Sequence, residues 1–115
     1  MTPKPREQMK PIEQVQRLRL AWKHGGLSFP ALVVGVEAAV TVARETMNEP
    51  ASRYIWRTWG QIEIINAIAL SLDAPLTSED IRDAEAFLDE LEELLRVQPA
   101  PESLSGDQEW LKDHS

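Results

Sequence analysis

Apolar side chains recur every three or four residues through most of the chain, the spacing typical of helices that bury one face. The clearest case follows Thr77, where Asp80 stands at the third position of a capping box. The stripe behind this box contains Ile81, Ala84, Leu88, Leu91 and Leu95. It predicts a helix over about 78–97, with acidic residues filling the other positions.

Three further helices are predicted from the same spacing and from start and stop signals. Pro11 suits a first turn, and the Gly25-Gly26 pair ends the helix that it begins. Ser28 serves as the N-cap of the second helix, and Pro50 lies near the first turn of the third. The predicted ranges are about 11–24, 29–48 and 51–72.

No stretch alternates apolar and polar residues in the way that a half-buried strand requires. The predicted fold class is therefore all-α, a four-helix antiparallel or orthogonal bundle with disordered N- and C-terminal tails. Residues 1–10 are expected to form a mobile N-terminal arm, 11–97 a single helical domain and 98–115 a flexible acidic C-terminal tail.

The second helix carries two apolar strips. One is expected to face the core, and the other has the small side chains of Ala31, Gly35 and Ala38, with Val42 at its end. Side chains this small let a neighbouring helix approach closely, so the second helix is expected to pack on two sides. Glu37 falls on the opposite side and is expected to be solvated.

Charge is unevenly distributed along a chain whose net charge is −7. Residues 1–24 carry six basic and two acidic groups, whereas 73–115 carry three basic and thirteen acidic groups. The acidic end repels free nucleic acid. The basic groups of the first segment, among them Arg17, Arg19 and Lys23, are expected to complement the acidic fourth helix, in the same chain or in a second copy.

Several kinds of chemistry lack the residues that they need. The chain has no cysteine, and neither His24 nor His114 belongs to a Glu-x-x-His pair of the kind that holds two metal ions in a bundle. The glycine pair lacks the lysine and hydroxyl group of a phosphate-binding loop. A non-enzymatic protein without metal or cofactor is therefore expected, although acid–base chemistry on Glu37 or Glu63 stays open as an alternative.

The longest apolar run, residues 29–43, is shorter than the roughly 18 to 20 residues of a membrane span and contains Glu37. The N-terminal residues lack the apolar segment of a secretory signal. We therefore expect no membrane association and a cytoplasmic location.

Three of the seven aromatic residues stand close together in Arg53–Gly60. Helical spacing directs Trp59 to the core and Trp56 to another face, beside two arginines and Gly60. Tryptophan and arginine dominate protein-binding hot spots, although Trp56 filling a second core contact is the alternative. The candidate partner-binding residues are Arg53, Tyr54, Trp56, Arg57, Gly60, Ile64 and, in the tail, Trp110 and Leu111.

These observations favour a regulatory protein-binding module that occupies a partner's surface, such as an antagonist or adaptor of a transcription regulator. An immunity protein, an inhibitor or a secretion chaperone would have the same size, charge and exposed apolar residues. Apolar residues around most of the third helix exceed what a small bundle covers, so a homodimer through the second and third helices is expected. The alternative class is a small DNA-binding protein that uses the basic first helix and the arm.

The helical positions of the two tryptophans predict different effects of truncation. Trp56→Ala is expected to weaken association with little loss of fold, whereas Trp59→Ala is expected to lower the free energy of unfolding by about 3–5 kcal/mol. Thermal denaturation compares the two variants, and a larger loss for Trp56→Ala would contradict the assignment of faces.

Overall fold

A computed structural model describes residues 9–97, which form four α-helices. Their bounds are α1 Pro11–Lys23, α2 Phe29–Arg44, α3 Glu49–Leu72 and α4 Ser78–Arg96. The predicted all-α class is confirmed, and residues 9–97 contain no strand. Residues 1–8 of the predicted arm and the whole predicted tail, with Trp110 and Leu111, lie outside the described residues.

The four helices form a closed ring in which each helix packs on the next and α4 packs on α1. As a result, α2 lies diagonally opposite α4. Two hydrogen bonds give the direction of α3 relative to α2. Trp59 donates to the carbonyl of Val33, and Arg44 donates to the hydroxyl of Ser52. Residue numbers rise along one helix as they fall along the other, so α2 and α3 are antiparallel, as the short connection between them favours.

Capping residues determine where the helices begin. Oγ of Ser28 accepts a hydrogen bond from the amide of Ala31 at 3.3 Å. The predicted capping box is confirmed, with 3.0 Å from the Asp80 amide to the Thr77 hydroxyl and 3.1 Å from the Thr77 amide to the Asp80 carboxylate. Asn48 caps α3 through the amide of Ala51 at 2.9 Å, so α3 begins at Glu49 and not at 51.

The end of α2 also differs from the prediction, since the helix stops at Arg44 and not at 48. The amides of Glu45, Thr46 and Met47 donate to carbonyls three residues earlier, the tight geometry of a terminating turn. At the end of α1, Gly25 adopts a positive φ of 80°. That conformation favours glycine and allows the next amide to reach back to the carbonyl of Ala21.

The core lies along the central axis of the ring. Its buried apolar residues are Val15, Phe29, Leu32, Val33, Val36, Ala39, Val40, Ala43, Ile55, Trp59, Ile62, Ala84, Leu88, Leu91 and Leu95. Trp59 lies in this core as predicted, and its Nε1–H donates to the Val33 carbonyl at 3.1 Å. That bond satisfies the one polar atom that burial of the indole would otherwise leave without a partner.

Arg19 joins α1 to α4 through three carboxylates. Its guanidinium lies 2.5 Å from Glu85, 2.8 Å from Asp89 and 2.9 Å from Glu92. Burial alone lowers the pKa of Arg19, but the hydrogen bonds from the three carboxylates outweigh that effect and hold the pKa above its ordinary value. The predicted pairing of the basic first segment with the fourth helix is thus confirmed for Arg19, within one chain.

The helices differ in length, and α3 extends past its neighbours. It has 24 residues, about 36 Å, against 16 residues, about 24 Å, for α2. From the contact between Val33 and Trp59, α2 continues only to Phe29, whereas α3 continues to Leu72. The last turns of α3 therefore have α4 as their neighbour but not α2, and Ile64, Ile68, Leu70 and Leu72 are all exposed.

Arg19 is expected to contribute far more to stability than an arginine in a surface ion pair. Arg19→Met keeps most of the side-chain volume but leaves three carboxylates without their cation, and we expect it to lower the free energy of unfolding by about 2–4 kcal/mol. Urea denaturation measures the loss. The matched control is Arg53→Met, which removes an exposed pair with Glu49 and is expected to cost less than about 0.5 kcal/mol. Equal losses in the two variants would contradict this role.

Candidate functional site

One face of α3 points away from the core along the whole helix. It consists of Arg53, Arg57, Gly60, Ile64 and Ile68, spaced by four, three, four and four residues. We call this set the α3 outer face. Ile64 is 49% and Ile68 54% exposed. The face is therefore basic toward the start of α3 and apolar toward its end.

Gly60 lies in the middle of this face, and the fold itself does not require a glycine there. A Cβ at Gly60 would meet no atom of residues 9–97 within 4 Å. At Gly35 on α2, by contrast, a Cβ would stand 2.8 Å from Cδ1 of Leu18, so any larger residue there would displace the end of the Leu18 side chain. A glycine inside a helix costs about 1 kcal/mol relative to alanine. Packing within the bundle explains that cost at Gly35 and leaves it unexplained at Gly60.

Arg53, Tyr54 and Arg57 lie together at the start of α3, where with Pro50 they line a shallow depression of about 290 Å³. Arg53 pairs with Glu49 at 2.8 Å, and Arg57 forms no salt bridge within residues 9–97. Tyr54 is tied to α4, because its hydroxyl donates to Glu90 at 2.5 Å. That hydrogen bond, together with the nearby negative charge, raises the pKa of the Tyr54 phenol.

Trp56 packs mainly against its own bundle. Its ring stacks on Trp59 with centroids 4.7 Å apart, and the Arg44 guanidinium lies 4.6 Å from the centroid of the same ring. Arg44 is held there by a bond of 2.7 Å from its Nε to the Ser52 hydroxyl. Trp56 is therefore half-buried, in contact with Arg44 of α2 and with Trp59 of its own helix.

This position changes the expected effect of Trp56→Ala. Loss of the stacking and of the cation–π contact gives about 1–2 kcal/mol of destabilisation. That is more than a free surface anchor would lose and still less than the loss expected for Trp59→Ala.

The second helix packs on two sides as predicted, against α1 and against α3. The small strip is only partly covered, however: Gly35 meets Leu18 of α1, while Ala31, Ala38 and Val42 are exposed. Ala31, Val34, Ala38 and Val42 form what we call the α2 outer face. Val34 is 65% and Val42 50% exposed. This exposure could not be predicted, because a strip of small apolar residues has the same spacing whether or not a neighbouring helix covers it.

The two carboxylates considered for acid–base chemistry do not share a cleft. Glu37 is half-buried on α2, which differs from the solvated position expected for it, and Glu63 is exposed on α3. Within residues 9–97, no group of three or more His, Asp and Glu side chains lies close enough to hold a metal ion. No helix in that range is long and apolar enough to cross a membrane.

Comparison of the chain with protein-family models, with curated proteins and with solved structures finds no match. The functional inference therefore depends on the chain's own geometry.

The two glycines make a matched pair of stability predictions. Gly60→Ala is expected to raise the free energy of unfolding by about 0.5–1 kcal/mol, because helix propensity improves and nothing is crowded. Gly35→Ala is expected to lower it by about 1 kcal/mol, because Leu18 must leave its rotamer. Chemical denaturation of both variants against the parent measures the difference. Destabilisation by Gly60→Ala would show that the bundle needs this glycine.

Proposed function

We propose that the protein is a non-enzymatic binding module whose α3 outer face occupies the surface of another protein. The observation that carries the proposal is the uncovered apolar half of that face. Ile64 and Ile68 are each about half exposed, and both follow a glycine that leaves an open approach to the helix backbone. Exposed apolar groups that adjoin a flat site are typical of protein-binding surfaces.

The charges on the face indicate what kind of partner it fits. Arg57 is exposed and forms no salt bridge within residues 9–97, and Arg53 has only a surface pair with Glu49. Both are available to carboxylates at the rim of an interface. The proposed partner surface therefore has an apolar centre that covers Ile64 and Ile68, and acidic groups at the end that meets the arginines.

The basic residues of α1 support protein binding more than DNA binding. Arg19 is occupied by three carboxylates of α4 and has little free charge to offer to phosphate groups. Of the other basic groups expected on this helix, Arg17 and Lys23 are exposed and free of salt bridges within residues 9–97. Two such groups give only weak, salt-sensitive contact with DNA.

The biological form that we propose is regulatory, in which the module acts by covering a surface that the partner uses elsewhere, as an antagonist or adaptor of a transcription regulator does. An immunity or inhibitor role uses the same geometry. The absence of cysteine fits the reducing interior of a cell, and we propose a cytoplasmic location and a homodimeric state.

Affinity capture with face variants tests the proposal. The full chain, immobilised in an extract of the cells that naturally produce it, is expected to retain a protein that the double variant Ile64→Asp, Ile68→Asp retains at least about tenfold less, a loss of about 1.4 kcal/mol or more. The matched control is Ala86→Asp, which adds negative charge on exposed α4, away from this face. Retention that is equal for all three chains would show that the α3 outer face is not the binding site.

A further inference from the structure

We propose that the α2 outer face binds a second copy of the chain, so that two copies form a two-fold dimer and leave both α3 outer faces free. This inference specifies the homodimer of the proposed function. It moves the contact between copies from the expected combination of the second and third helices to α2 alone, with the adjoining side of α1.

The exposed side of α2 carries no charge. Among the sixteen residues of α2, only Glu37 and Arg44 are charged, and both are half-buried. They are separated by two helical turns and so share the side on which Arg44 covers Trp56 of α3. The exposed positions of α2 are Pro30, Ala31, Val34, Ala38, Thr41 and Val42.

Electrostatics selects this face for a contact between identical chains. Each copy has a net charge of −7, so two copies repel each other wherever their acidic surfaces meet. The strongly acidic α4 lies diagonally opposite α2 in the ring. A contact between two α2 helices therefore places the two acidic helices on the far sides of the dimer, where their mutual repulsion is smallest.

The shape of this surface also suits a helix from a second copy. Ala31, Val34, Ala38 and Val42 follow one another by three or four residues, which places them on a single seam. Beside the seam, a mainly apolar groove of about 470 Å³ lies between α1 and α2, with Leu18, Ala21 and Ala38 among its lining residues and Arg17 as its one charged residue. The small side chains of the seam allow close approach of two helices, and the groove can receive the larger side chains of the second copy.

The size of the surface sets the expected strength of the dimer. A face about 24 Å long and about 20 Å wide, formed by two adjacent helices, gives roughly 480 Å² per copy. The total of roughly 1,000 Å² is near the lower limit for a specific interface. We therefore expect a dissociation constant in the micromolar range and a monomer–dimer equilibrium that depends on concentration.

Mass measurements with charge variants test the assignment of the face. At about 100 µM, well above a micromolar dissociation constant, the full chain is expected to approach about 26 kDa by light scattering, twice the 13.0 kDa of one chain. Val34→Glu buries a charge in the proposed contact and is expected to return the mass to 13.0 kDa, whereas the matched Ile64→Glu on α3 is expected to stay dimeric. Circular dichroism checks that both variants keep their helices. A monomeric parent chain, or a dimer lost with Ile64→Glu and kept with Val34→Glu, would overturn the proposal.

Two further readouts do not depend on a disruptive variant. Because the chain has no native cysteine, Ala38→Cys and Ile64→Cys each introduce a single thiol. A short bis-maleimide is expected to link two copies through Ala38→Cys and not through Ile64→Cys. Added salt is expected to strengthen the dimer, because it screens like-charge repulsion while the contact contains no ion pair. Weakening by salt, or linkage only at Ile64→Cys, would contradict the proposed face.

These experiments test the proposed dimer and the proposed partner site separately. A monomer that still captures a partner through Ile64 and Ile68 would remove the α2 contact and leave the proposed function intact. If the chain forms a dimer through α2 but its α3 variants capture the partner as well as the parent chain does, the proposed partner site is wrong and the α2 contact stands.

Discussion

Arg19 closes the bundle. Among residues 9–97 its guanidinium makes the only salt bridges between different helices, and these join α1 to α4, the pair that are farthest apart in sequence. Hydrophobic burial alone does not determine which side of the acidic α4 faces α1. The ion pairs of Arg19 do, because Glu85 and Glu92 are largely buried and leaving them there without a cation is costly. Once α4 is held against α1, α2 must lie diagonally across the ring, and its outer side faces away from the acidic α4.

Unequal helix lengths determine where apolar surface is left over. The 13 residues of α1 and the 16 of α2 cannot cover the 24 residues of α3. Only an α2 that began earlier would bury the end of α3, because the start of α2 lies toward the end of α3. That start is set by the Ser28 cap and the short connection from α1. The exposed residues at the end of α3 therefore follow from the helix boundaries. Apolar surface of this kind, left in contact with water, is typical of a site that another molecule covers.

Much of the fold follows from the sequence, because periodic apolar spacing and capping residues act locally. The start of α4 is an example, since Thr77 and Asp80 satisfy each other's amides in any context. The end of α2 was harder to predict, because apolar spacing continues to Met47 although the backbone tightens after Arg44. For the candidate site, helical spacing separated Trp59 from Trp56 but could not place Arg44 over the indole, because that contact depends on how α2 and α3 pack. The exposure of Val34 was equally inaccessible, since spacing gives the direction of a side chain and not the reach of a neighbouring helix.

The charge distribution also limits how a partner can approach α3. Arg53 and Arg57 are local positive charges on a chain that is otherwise strongly acidic, and α4 lies next to α3. A basic partner would be attracted to α4 and repelled by the two arginines. An acidic partner would be repelled by α4 unless its carboxylates reach Arg53 and Arg57. The electrostatic field of the chain therefore disfavours most approaches of an acidic partner at long range. At short range it favours one orientation of that partner along α3. In a dimer joined through α2, two such faces point away from each other, so a partner that is itself two-fold symmetric would gain affinity from engaging both, provided that its own sites match their separation.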